Sequence, residues 1–204
     1  MWDVWQIALP NHQHIYYKYK NMNKKEIRST MIAGGLILLG VVLRVAMQNL
    51  PNIEPITLIA IFGGAYFVKK EYALIVPLAI IAISDLVIGN TGIAMATWSA
   101  WAIIGGAATL LHYKKDKKTF PLFAIAGGAI ANIFFYLWTN FGVWLQGTMY
   151  PMTGEGLIQS YVMGLPFLRN QLLSNAIMIG SVAVAIVVLQ SVAALKKSQQ
   201  PTTK

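Results

Sequence analysis

Two charged side chains, Arg44 and Asp85, stand inside long apolar runs of this 204-residue sequence. An ionisable group within hydrocarbon is costly, so it is paired, functional or both. Arg44 and Asp85 are each expected about 5 Å from one end of their runs. At that shared depth they are expected to approach each other and to face a polar solute. Groups suited to binding surround them. Asn52, Asn90, Asn132, Asn140 and Asn170 carry amides that both donate and accept. Trp98, Trp144 and Tyr150 offer flat apolar faces with one polar atom each. Arg169, together with Arg44, suits a carboxylate or a phosphate. Glu54 and Asp85 are the two carboxylates placed for acid–base work or for orienting the arginines, and their spacing specifies no reaction.

The chemistry of turnover is otherwise absent from the sequence. There is no Gly-x-x-x-x-Gly-Lys-Ser/Thr to cradle ATP phosphates, and no His-Glu-x-x-His. Zero cysteines remove disulfides, thiolate metal sites and cysteine nucleophiles together. His112 lies beside Lys114, at the wrong end of its run to pair with a serine near Arg44. His12 and His14 form a His-x-His pair in a basic segment, where such pairs are most often incidental. No cofactor or metal is expected, and the chain is not expected to be an enzyme.

The elements that hold these residues follow from composition. Hydrophobic residues make up 56% of the chain and charged residues 11%, against about 25% charged in soluble domains. The net charge is +9, but its lysines and arginines cluster between apolar runs, which argues for a membrane protein and against nucleic acid. Six spans are expected: Thr30–Met47, Pro55–Val68, Tyr72–Ile88, Ile93–Leu111, Phe120–Thr139 and Leu172–Leu195. A crossing helix needs about 20 residues, so the second span is short. Charge decides its reading. With six crossings and the N-terminus inside, 14 of the 16 basic residues face the cytoplasm; without the second crossing the split is six against ten. Both termini are therefore expected in the cytoplasm of a multi-pass cell-membrane protein. Residues 1–29 form a basic cytoplasmic segment, 30–195 the membrane domain and 196–204 a polar tail. For residues 1–21 two readings stay open: aromatics at the lipid interface, or an extension upstream of a start-like Met22-Asn23-Lys24-Lys25.

Residues Asn140 to Asn170 are expected to form a long outer loop, with Glu155–Leu168 as a short interfacial helix. Four small-residue knots fall toward the cytoplasmic side: Ala33-Gly34-Gly35, Gly63-Gly64-Ala65, Gly105-Gly106-Ala107 and Gly127-Gly128-Ala129. Small residues let membrane helices approach closely. The bundle is thus expected to be tight inside and polar outside, with a cavity open to the outer face.

Several blocks carry a resemblance. They are Pro51-Asn52, Phe62-Gly63-Gly64-Ala65-Tyr66-Phe67, Val76-Pro77-Leu78 with Ile83-Ser84-Asp85, Thr139-Asn140-Phe141-Gly142-Val143-Trp144, Tyr150-Pro151 and Leu165-Pro166-Phe167. Over about residues 35–185 the chain resembles a family of small, largely uncharacterised prokaryotic membrane transport proteins. That family in turn resembles the substrate-binding S-components of energy-coupling factor (ECF) vitamin transporters. The resemblance implies an all-α bundle of six transmembrane helices with an outward pocket. It implies capture of a small solute and docking on a separate transmembrane coupling subunit with ATPases. Some relatives of this type place a cysteine on the cobalt of cobalamin, a ligation that a chain without cysteine does not have. The expected site joins Arg44, Asn52, Glu54, Asp85, Asn90, Trp98, Asn132, Asn140, Trp144, Tyr150, Arg169 and Asn170. The alternative is a non-transport membrane scaffold or assembly partner, with the polar cluster as interhelical glue.

Overall fold

In the computed structural model, residues 23–50, 53, 55–89, 92–113 and 119–198 are described, and they form six helices with no strand among them. The helices are α1 (Lys24–Ala46), α2 (Ile56–Tyr66), α3 (Tyr72–Ile88), α4 (Ala94–Ala108), α5 (Phe120–Leu145) and α6 (Gly154–Ser198). A 3-10 turn, Thr109–Tyr113, prolongs α4. By length and composition α1, α4 with its turn, α5 and α6 can each cross a membrane, while α2 and α3 are shorter. Segments 1–22, 114–118 and 199–204, with His12 and His14, lie outside the described residues.

Local chemistry sets the helix ends. Asn23 and Glu26 form a reciprocal cap: the Glu26 amide donates to Asn23 Oδ1 at 3.0 Å and the Asn23 amide to Glu26 Oε2 at 3.2 Å. The helix therefore starts at Lys24, and residues 24–29, expected in the basic tail, belong to α1. At the other boundary, α3 stops at Gly89, whose φ of +87° a residue with a side chain rarely adopts. Pro77 within α3 has no N–H to give the Ala73 carbonyl. Gly105 of α4 packs against that carbonyl, where even a β-carbon would stand 2.9 Å from its oxygen.

Side-chain pairings fix the topology. Along α1 and α3, Thr30 meets Tyr72 at 2.8 Å, Gly40 packs on Ile80, and Arg44 meets Asp85 at 2.7 Å. The separation in sequence stays near 40, so the two helices are parallel and the chain between them must return across the bundle. Helix α2 runs with Thr57 on Asn132, Gly127 on Ile61 and Phe62 on Phe120, antiparallel to α5. Helices α4 and α5 are antiparallel as well, through Trp138 on Ser99 at 2.9 Å and Trp101 on Phe135. All six helices thus alternate in direction. The end where α1 and α3 begin carries Lys24, Lys25, Arg28, Lys69 and Lys70 and is termed the basic end. The opposite one, with Arg44 and Asp85, is termed the polar end.

Two expected elements change. The return segment, expected as a span over Pro55–Val68, contains a helix of 11 residues, about 16 Å long. That is roughly half of a 30 Å hydrocarbon core. Its first turn, with Ile56 and Thr57 fully buried, sits beside Asn132 near the middle of α5. The second change is at the polar end. Instead of ending at Thr139, α5 runs on to Leu145: the Asn140 side-chain amide is satisfied within the helix, donating to the Tyr136 carbonyl at 2.8 Å, and Gly142 packs on Ala96. The expected loop of residues 140–170 shrinks to Gln146–Thr153. Thr153 Oγ1 accepts from the Gly156 amide at 3.1 Å and starts α6, which then continues unbroken through Pro166.

Three of the four small-residue knots serve close packing. A β-carbon on Gly64 would strike the Ala108 carbonyl, one on Gly128 would strike Ile179, and one on Gly105 would crowd the α3 backbone at Ala73 and Leu74. On α1 the knot is different: Ala33 is buried, yet Gly34 and Gly35 have open space beside them. The outward surface is apolar, with Leu86, Met95, Ile130, Ile177 and Leu189 all strongly exposed. So continuous an apolar surface suits lipid rather than water.

Candidate functional site

A cavity of about 450 Å³ lies at the polar end among α3, α4, α5, α6 and the loop before α6. That size falls in the range of small-molecule sites. Helical registers supply its lining. Helix α4 contributes Thr97 and Trp101, four residues apart on one face. Helix α5 contributes Phe135, Tyr136, Thr139, Asn140 and Val143, and α6 contributes Met163, Gly164, Phe167, Leu168 and Gln171. Arg44 and Asp85 lie in one wall, Met149 and Tyr150 in another.

The wall charges are held by each other. Arg44 Nη1 is 2.7 Å from Asp85 Oδ1 and donates to Ser84 Oγ at 2.6 Å. The second carboxylate oxygen of Asp85 accepts from Trp98 Nε1 at 2.8 Å. Their side chains are 21% and 10% exposed, so the pair sits largely out of contact with the surroundings. Ser84, itself buried, donates to the Ile80 carbonyl at 2.7 Å and accepts from Arg44, which fixes the guanidinium.

Beyond the cavity, near mid-height, lies a buried layer of amides. Asn132 Oδ1 accepts from Asn175 Nδ2 at 3.1 Å and from Thr57 Oγ1 at 3.3 Å. Asn132 Nδ2 donates to the Gln171 carbonyl at 3.3 Å. Asn132 is about 20 Å from Leu145 and 18 Å from Phe120, deeper than a span ending at Thr139 implies. Between this layer and the cavity stands Gln171, 1% exposed, with both carboxamide atoms buried and no hydrogen-bond partner. Leaving a buried polar atom unpaired costs about 1–3 kcal/mol. Asn175 Oδ1 is unpartnered too.

Of the expected site residues, Arg44, Asp85, Asn140 and Tyr150 come together around this cavity. Trp98 supports the wall through Asp85 while Trp101 lines the interior, so the two α4 tryptophans divide wall and lining. Trp144 packs at a tilt against Phe141 with ring centres 5.4 Å apart and donates to the Thr153 carbonyl at 3.0 Å, bracing the loop. Asn132 belongs to the amide layer. Arg169 is exposed and is not among the lining residues; Asn170 is half-buried and also outside the lining. Asn52, Glu54 and Asn90 lie outside the described residues. Gln171, Thr97 and Tyr136 also line the cavity without having been expected there, as does Trp101, which was placed at the same depth as Trp98 but not in the expected site. A polar residue every third or fourth position on α5, namely Tyr136, Thr139 and Asn140, was the available signal for one wall.

Two further cavities are apolar in character. One of about 600 Å³ lies between α1, α2 and α6 toward the basic end, lined by Ile32, Leu36, Leu58 and Phe62, with Lys25 and Arg28 at its edge. The other, about 320 Å³, lies between α4 and α5. Neither contains an unpartnered buried amide, so the polar cavity is the better candidate for recognising a solute.

Residues 24–199 match the family described as "Family of unknown function (DUF6580)". No curated protein and no solved structure matches the chain.

Proposed function

The chain belongs to this family of unknown function, and we propose that it is the solute-binding subunit of a membrane transport system. In this reading it is a six-crossing protein of the cell membrane with its basic end in the cytoplasm, as the positive-inside rule requires. The polar cavity then opens toward the outer face and receives a small solute from there. The observation that carries the proposal is the cavity itself: a paired arginine and aspartate in one wall, an unpartnered carboxamide behind it and aromatic sides. The protein binds and does not catalyse. Its sequence has no phosphate-binding loop, so a separate transmembrane coupling subunit with ATPases supplies the energy, as in the ECF S-components that the chain resembles.

Thermal stability of the detergent-solubilised protein across a library of small solutes tests the proposal. A ligand at about 100 times its Kd should add about 2.7 kcal/mol of apparent stability. Asn140→Ala should weaken that effect while the unliganded protein stays folded. A stabilising solute that protects Asn140→Ala as well as the parent would move the pocket elsewhere. If neither the library nor a lipid extract stabilises the protein, the scaffold reading is the better one. The apolar groove between α1, α2 and α6 favours that second reading, since it offers a partner helix a place to pack.

A further inference from the structure

We propose that the solute is an uncharged, flat heterocycle with a cis-amide edge, recognised by the carboxamide of Gln171 through two opposed hydrogen bonds. The proposal rests on the solute-binding reading above and narrows it to a ligand class.

Charge is the first consideration. Arg44 and Asp85 are the ion pair of the lining, and they hold each other at 2.7 Å. Ser84 and Trp98 occupy the same two groups further. Arg169, the other cation that could draw in an anion, is exposed and not part of the lining. The walls therefore present no net charge, and a charged solute would enter a largely apolar cavity without a counter-ion.

Hydrogen-bond direction is the second. Four polar hydrogens of the lining are directed at helix carbonyls. Thr97 donates to Ala94 at 3.0 Å, Thr139 to Phe135 at 2.7 Å, Tyr136 to Tyr161 at 2.6 Å and the Asn140 amide to Tyr136 at 2.8 Å. What these hydroxyls have left are oxygen lone pairs. The lining thus favours a ligand that brings its own N–H groups.

Gln171 completes the pattern. It carries one donor and one acceptor side by side, both buried and both without a partner. A group that makes no hydrogen bonds loses none by turning toward the cavity it lines. A cis-amide edge, with N–H and C=O on the same side of a ring, matches that pair atom for atom. Trp101, Phe135 and Phe167 supply apolar faces for such a ring.

The test is equilibrium binding to the purified full chain in lipid nanodiscs. The probes are uracil and hypoxanthine, their N-methylated counterparts, and benzoate and benzylamine as charged controls. The lactam-edged probes should bind the parent. Methylation of the edge should weaken binding at least tenfold, and so should Gln171→Met, which keeps the bulk and removes the amide. The methylated probes give the same information on the parent protein if that variant fails to fold. Binding of methylated and unmethylated probes with equal affinity overturns the amide edge. So does binding of a charged control, or of any other solute, where no lactam-edged probe binds; in both cases the solute-binding reading stands. Failure of every probe and of the wider solute library overturns both.

Discussion

Removing one partner of the Arg44–Asp85 pair leaves the other charge inside an apolar bundle. Asp85→Asn should cost about 3 kcal/mol, the low end for breaking a buried pair, since both groups retain some exposure. Arg44→Gln in the same chain should restore part of that loss, because no isolated charge then remains. Additive losses in thermal or denaturant unfolding would show that the two act independently. Trp98→Phe should cost about 1.5 kcal/mol, the low end for one hydrogen bond to a charged acceptor. The pair was legible in the sequence because two lone charges in apolar runs had few ways to be satisfied. Gln171 was not. A glutamine just before Leu172 and Leu173 looks like the boundary of a span, and only the pairing of α6 with α5 shows it to be buried.

At the scale of the helix, glycines of similar sequence context divide into two kinds. Gly64 and Gly128 touch neighbours so closely that Gly64→Leu and Gly128→Leu should destabilise the fold by several kcal/mol or prevent it, as overpacking does. Gly34 and Gly106 have open space, so Gly34→Ala and Gly106→Ala should be neutral or gain up to about 1 kcal/mol from helix propensity. Melting temperatures of the four variants check the division. The existence and order of all six helices were legible from apolar run length. The extent of α6 was not, since Glu155–Leu168 read as a short interfacial helix separated by Arg169 and Asn170 from the span that starts at Leu172, whereas the two form one helix. The helix holds there because α5 supplies partners: Ser160 donates to the Asn140 carbonyl at 2.8 Å, and Gly164 lets the two helices close on Asn140. The shortness of α2 was legible, since the run Pro55–Val68 falls below the about 20 residues of a crossing helix, and its helix begins just after Pro55.

For the whole molecule, alternation of the six helices puts residues 47–50 and 146–153 at one end and the Lys69–Glu71 turn at the other. A chain with no native cysteine allows the orientation to be read directly. A cysteine at Thr148 should react with an impermeant thiol reagent added outside intact cells, and one at Lys70 should not. Labelling at Lys70 alone would invert the molecule and close the proposed outer entrance. That Arg44, Asp85, Asn140 and Tyr150 gather at one end was legible from the clustering of asparagines, tryptophans and lone charges in the sequence. Its internal geometry needed helix registers that spacing alone does not provide.

Helix α6 has one mechanical consequence. It runs without a break from Gln171 to Ser198, 28 residues and about 40 Å of continuous hydrogen-bonded rod. Pro166, the position where such a rod would bend, lies before this stretch and not within it. A rotation of about 5° at the Gln171 level displaces the far end by roughly 3–4 Å, the length of a hydrogen bond. A tilt at the polar end is therefore carried, by a lever of fixed length, to the basic end of the protein.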